Sequence, residues 1–161
     1  MANKYGITKK EFATQLTSTI ARVFGVKPED ASKAQIYQAT CMCVRDILTQ
    51  TRVNFKKVVR EQNAKQVYYM SMEFLLGRSL KNHLFNMGIT KEVADAVKEM
   101  GADLEELYSF EPDAGLGNGG LGRLAAAYMD ALTSRGYAAS GFSIMYDYGI
   151  FKQVIVDGWQ L

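Results

Sequence analysis

The stretch Asp113-Ala-Gly-Leu-Gly-Asn-Gly-Gly-Leu-Gly-Arg123 decides how the rest of the chain is read. Five of the 14 glycines in the 161-residue sequence lie in it: Gly115, Gly117, Gly119, Gly120 and Gly122. Such a run brings almost no apolar surface, so it does not serve a core. It offers backbone that is free to take φ > 0 and to approach a ligand closely. Leu121 to Leu132 follow with a helical pattern. A glycine turn that opens a helix leaves N–H groups unpaired at the positive end of the helix dipole, which suits an anion. The stretch therefore reads as a phosphate-binding turn.

The run meets the G-x-G-x-x-G spacing twice, at Gly115/Gly117/Gly120 and at Gly117/Gly119/Gly122. A dinucleotide fold also needs a buried strand before the turn and an acid about 20 residues after it. Tyr108-Ser-Phe-Glu-Pro-Asp113 is no apolar strand, Asp130 is too near and Asp147 too far. No G-K-[ST] element marks a nucleoside triphosphate loop.

Composition sets wider bounds. Hydrophobic content of 48% and charged content of 22% are those of a globular protein. The net charge of +2 argues against general nucleic-acid binding. Charge is unevenly spread: residues 1–66 carry 12 Lys and Arg against 5 Asp and Glu, and residues 67–161 carry 7 against 12. Cys41 and Cys43 form no disulfide framework, and with the single His83 they make no metal site. They read as ordinary, partly buried thiols of a reducing compartment. Neither a membrane span nor a signal peptide is present, so the expected location is cytoplasmic.

From the N-terminus, Thr8-x-x-Glu11 and Ser32-x-x-Gln35 are capping boxes, and each opens a helix. Gly25 is placed to end the first helix. The second keeps a 3–4 residue apolar rhythm from Ile36 through Phe55 and Val58, which predicts one long helix to about Val59 for packing or dimer contacts. Lys56, Lys57, Arg60 and Lys65 near its end read as solvated surface, with an anionic effector site as the other option. Val67 to Met70 predicts a short buried strand and Ser71 to Arg78 a turn. Glu73, set between Met72 and Phe74-Leu75-Leu76, is either part of a site or a structural carboxylate that caps nearby N–H groups. Three short helices follow, over Ser79–Met87, Thr90–Met100 and Asp103–Ser109. Strands are expected from Tyr137 to Tyr146 and from Ile150 to Val156, closed by Asp157-Gly158. This order belongs to the α/β class, and the chain reads as an incomplete domain.

At these residues the chain resembles a family. Asp113 to Ala126 looks like the signature of the α-glucan (glycogen, starch or maltodextrin) phosphorylases. Tyr68-Tyr-Met-Ser-Met-Glu-Phe-Leu-Leu-Gly-Arg-Ser-Leu80 is similar to the family's upstream strand and turn, and Gly149–Gln153 and Gly158-Trp-Gln160 to its downstream strands. The resemblance runs through residues 34–161 in one order. It implies the N-terminal part of a two-lobed glycosyltransferase of the GT-B type: a helical region over 1–66, then the start of a Rossmann-like lobe over 67–161, with the catalytic C-terminal lobe absent. The implied reaction is phosphorolysis of the non-reducing-end α-1,4 bond of a glucan by inorganic phosphate, giving α-glucose 1-phosphate with retention. The implied cofactor is pyridoxal phosphate, whose covalent lysine lies outside this chain, so the chain alone is expected to be inactive. By position, Gly119 and Gly120 would present N–H groups to the phosphates. Leu121 would touch the glucosyl ring, with Asn118 and Glu73 beside it, and Arg123 would brace the helix. The whole enzyme is expected to be a homodimer, with no metal, nucleic acid or membrane partner.

One departure bears on regulation. Where regulated members place a Gln-Gln pair and a Tyr, this chain has Lys56-Lys57 and Arg60, and the serine segment that is phosphorylated is missing. This counts against control by nucleotide or phosphorylation. Beside the phosphorylase reading stand two others: a stand-alone structural or interaction module, and a dinucleotide-binding domain.

Overall fold

The structure is a computed structural model that describes residues 3–147 and 154–160. It is a mixed α/β chain in two compact units, one formed by Met1–Glu61 with Arg78–Pro112, the other by Gln62–Gly77 with Asp113–Leu161.

The first unit is helical: α1 (Lys9–Phe24), α2 (Lys33–Glu61), α3 (Leu80–Met87), α4 (Thr90–Glu99) and α5 (Leu104–Leu107). Both capping boxes form. Thr8 Oγ accepts from the Glu11 amide, and the Glu11 carboxylate accepts from the Thr8 amide at 2.8 Å. Ser32 and Gln35 exchange the same pair of bonds at 2.9 and 3.3 Å. Gly25 ends α1 in the left-handed region at φ 66°, where a Cβ would be strained. Phe12, Leu16 and Ile20 of α1 recur at helical spacing and are fully buried against Ile36, Ala39 and Cys43 of α2 and Val93, Ala96 and Val97 of α4. Each large side chain buried in this way contributes about 1.5–3 kcal/mol.

The long second helix forms as expected, and its far half lies open. Its burial stops near Val44, and Val53, Phe55 and Val58 are 56%, 45% and 44% exposed. The reason is length. The 16 residues of α1 and the 29 of α2 correspond to about 24 and 44 Å, so α1 lies along only part of α2.

A cap that sequence reading overlooked holds α3. Ser79 caps nothing with its own side chain. Instead the Glu111 carboxylate, from the far end of the unit, accepts from the Ser79 amide at 2.6 Å and the Leu80 amide at 3.1 Å. A carboxylate on these open N–H groups is favoured by both hydrogen bonding and the helix dipole.

The second unit contains β1 (Gln66–Met70), β2 (Phe74–Leu75), β3 (Gly115–Leu116), α6 (Gly120–Ser134), β4 (Ala138–Phe142), β5 (Ile155–Val156) and β6 (Trp159–Gln160). Strands β1 and β4 are parallel, with Gln66 opposite Ala138 and Met70 opposite Phe142. Parallel neighbours need a crossover, and α6 supplies it and packs on β4 and β2. β1 is not the buried strand expected. Val67 and Tyr69 are half-buried, whereas Tyr68 and Met70 are 60% and 82% exposed, because α6 covers one face only. β4 is shorter than the predicted Tyr137–Tyr146: its ladder ends where Ser71 N–H, one residue past β1, donates to Phe142 O. Of the strand expected over Ile150–Val156, residues 150–153 lie outside the described residues. Ile155-Val156 pairs antiparallel with Trp159-Gln160 through Asp157 and Gly158, both at positive φ.

Glu111→Ala is expected to destabilise the first unit by about 1–2 kcal/mol through loss of the α3 cap, and Glu111→Gln by less, since one oxygen still accepts. Urea unfolding midpoints check this.

Candidate functional site

The glycine run is folded on the segment just after β1. Phe74 pairs with Leu116 and Leu75 with Gly115, antiparallel, and the Leu76 and Gly77 amides both donate to Ala114 O at 3.0 and 3.1 Å. The strand next to the turn is thus a two-residue antiparallel piece inside the run. It is not the buried parallel strand of a dinucleotide fold.

Gly117 sits at φ 127°, a conformation open to glycine and strained for other residues. Gly119 is the N-cap of α6 in extended backbone, and no side chain caps the helix. The first helical bond runs from Arg123 N–H to Gly119 O at 3.2 Å. The N–H groups of Gly120, Leu121 and Gly122 in the first turn therefore have no intrahelical acceptor. Gly119 and Gly120 are exposed, and a Cβ built on either meets no atom within 4 Å. Open donors and the partial positive charge of a helix end are features that suit an anion.

The other residues singled out fall around this point. Asn118 is exposed beside Gly119, and Leu121 presents half of its apolar surface to solvent in the first turn of α6. Glu73 is half-buried. Its side chain lies against the backbone of Gly117 and Gly122, so Cβ atoms there would come within 2.6 and 3.3 Å of its Oε2. Among the described residues no N–H donates to that carboxylate, although its own amide donates to Ser71 Oγ at 3.3 Å. The capping role considered for Glu73 is not seen. Arg123 points back and donates from Nη1 to Leu75 O at 3.3 Å, tying α6 to β2.

Beside the run is an open apolar groove of about 570 Å³, lined by Phe74, Leu76, Ala114, Gly115, Leu116, Met129, Gly141 and Ser143. Sequence reading passed over it. Its one signal was Gly141 within the apolar alternation of β4, where a Cβ would meet the Phe74 ring at 3.2 Å.

The cysteines and His83 belong to the first unit. Burial pushes both the Cys41 and Cys43 thiols above the ordinary thiol range, which lowers their thiolate fraction and makes them poor nucleophiles. His83 is exposed on α3. Among the described residues no cluster of three His, Cys, Asp or Glu side chains is arranged to hold a metal, and no helix is long and apolar enough to cross a membrane.

In this α/β unit an uncapped, glycine-rich helix start leaves amide donors open at the positive end of the helix dipole. The family model of the carbohydrate phosphorylases matches residues 97–161, which include the whole run. Over 153 residues, 95% of the chain, it is 41% identical to the brain form of glycogen phosphorylase from Bos taurus. Identity is 42% over 156 residues to glycogen phosphorylase 2 of Dictyostelium discoideum, covering 97% of the chain, and 47% over 133 residues to glycogen phosphorylase of Chlamydia pneumoniae, covering 83%. The chain is a member of the phosphorylase family by sequence, and it spans 18%, 15% and 16% of the length of these three relatives.

The glycines of the run are expected to separate by stability. Gly120→Ala enters open space and should change stability by less than about 1 kcal/mol. Gly122→Ala places a Cβ 2.9 Å from Leu75 Cγ and should cost about 1–3 kcal/mol despite better helix propensity. Thermal unfolding of the two variants distinguishes them.

Proposed function

We propose that this chain forms one wall of the sugar-phosphate site of an α-glucan phosphorylase. The whole protein then transfers the non-reducing-end glucosyl unit of an α-1,4-glucan to inorganic phosphate, giving α-glucose 1-phosphate with retention. The observation that carries this reading is the uncapped start of α6, with exposed Gly119 and Gly120, in a chain related to glycogen phosphorylases. In this reading residues 67–161 open a Rossmann-like lobe of a GT-B architecture, and the protein is cytoplasmic. Residues 1–66 serve packing and subunit contacts in a homodimer, for which the exposed Val53, Phe55 and Val58 offer apolar surface.

The chemistry follows from charge. Phosphorolysis brings phosphate dianions together while the sugar develops oxocarbenium-like positive charge. Gly119 and Gly120 N–H groups at the dipole end offset part of that repulsion without reorganising at the moment of reaction. Leu121 supplies an apolar surface to the ring and helps exclude water. Asn118 offers both a donor and an acceptor to sugar hydroxyls, and Glu73 lies beside them. A pair of catalytic carboxylates is not required, since phosphate provides the nucleophile.

Pyridoxal phosphate is the implied cofactor, and the open space around Gly119 and Gly120 fits a phosphate group. When bound, it supplies a phosphate that can hold and release a proton beside the substrate phosphate. The lysine that would hold it covalently is assigned outside this chain, which alone is then inactive.

The test uses the full-length protein that carries this sequence. It should bind pyridoxal phosphate, seen by absorbance, and release glucose 1-phosphate from glucan only when phosphate is supplied. Absence of both overturns the reading. Gly120→Ala should lower kcat by about 10²-fold with folding intact, because its Cβ would stand between the donors and the phosphates. Unchanged kinetics would remove the turn from the site.

A further inference from the structure

The five glycines of the run do not share one role. Gly119 and Gly120 have open space where a Cβ would stand. Gly117 and Gly122 do not. A Cβ on Gly117 would come within 2.7 Å of both Cβ and Cδ of Glu73, and one on Gly122 within 2.9 Å of Leu75 Cγ and 3.1 Å of Glu73 Cβ. The space that side chains would fill at these two positions is taken by Glu73 and Leu75. The same segment is tied to the run on both sides of that contact. Leu76 and Gly77 donate to Ala114 O ahead of the run, and Arg123 Nη1 donates to Leu75 O behind it.

We propose that Glu73 is a positioning residue for the phosphate-binding turn: its side chain is the former on which Gly117 and Gly122 close, and its shape sets the direction of the Gly119 and Gly120 N–H groups. The inference rests on the reading of that turn as a phosphate wall. Glycine-rich backbone has the most conformational freedom to lose, and without a filler it would sample many turns. Donors held in place in advance stabilise developing charge far better than donors that must be ordered during reaction. Shape is what matters here, because a carboxylate charge beside a bound phosphate opposes it, and no described donor reaches that carboxylate to offset the charge. Glutamine has the same outline and lacks the charge.

Two measurements on full-length protein test this with Glu73→Ala and Glu73→Gln. The first is amide hydrogen exchange of the peptide covering residues 114–122, which needs no activity. Exchange should quicken about tenfold or more in Glu73→Ala and stay near wild type in Glu73→Gln. The second is the ratio of KM for phosphate to KM for glucan, which should rise about tenfold in Glu73→Ala and hold in Glu73→Gln, whatever kcat does. Unchanged exchange in Glu73→Ala overturns the proposal. Equal effects of both variants assign the role to charge and overturn it as well. A fall in stability with the KM ratio unmoved would reduce Glu73 to a structural residue. If wild-type protein itself shows no phosphorolysis, the functional reading fails, and the exchange result still decides whether Glu73 forms the turn.

Discussion

The second unit depends on a close approach of backbone to side chain. Gly117 and Gly122 let the glycine run come down on Glu73 and Leu75 closely enough that a single methyl at either position would collide. That contact brings β3 onto β2, and with it the start of α6 onto the segment that follows β1. The energy is modest at each point: two ladder pairs, a shared carbonyl at Ala114 and one guanidinium on Leu75 O. Together they hold a stretch whose own residues would otherwise favour disorder. Among the described residues, the first N–H groups of α6 have no intrahelical acceptor and no side-chain cap.

The first unit is held differently. Its helices bury apolar stripes on one another, and their ends are closed one by one. Thr8 and Ser32 close α1 and α2 from within, Asp103 accepts from the Glu105 amide at α5, and Glu111 closes α3 from 31 residues away. The ion pairs Lys33–Glu106 and Lys81–Glu105 are solvent-exposed and add little beside this packing. Tyr108 is buried beneath Lys81, whose ammonium stands 5.2 Å from the ring centroid. Its hydroxyl finds no partner among the described residues, and burial pushes its pKa up to about 12.

How much of this was legible varies with the range of the interaction. Both capping boxes, the stop at Gly25 and the helix after the glycine run are local, and the sequence carries their geometry within four residues. Glu111 carried no signal as a cap, because its partners are far away in sequence. The apolar rhythm of α2 through Phe55 and Val58 reports a face and not what covers it. Val67 to Met70 was misread in the same way: β-branched and aromatic content gives a strand, while its burial depends on how many layers pack on it. For the candidate site, the run itself and the helix it opens were readable from the residues. The apolar groove was not, since Leu76, Met129 and Gly141 come from three separate stretches of the chain.

The sequence by itself determined the element types, most helix boundaries and the presence of an uncapped, glycine-rich helix start, because each follows from the torsional freedom and hydrogen-bonding capacity of neighbouring residues. The division of labour inside the run was decided by tertiary structure alone. Spacing treats the five glycines alike, and it matches the dinucleotide pattern twice. Only the packing of Glu73 and Leu75 against Gly117 and Gly122 separates glycines needed for closure from Gly119 and Gly120, which keep their space open. The reason is that steric exclusion is a property of what lies across from a residue, and that neighbour comes from more than 40 positions earlier in the chain.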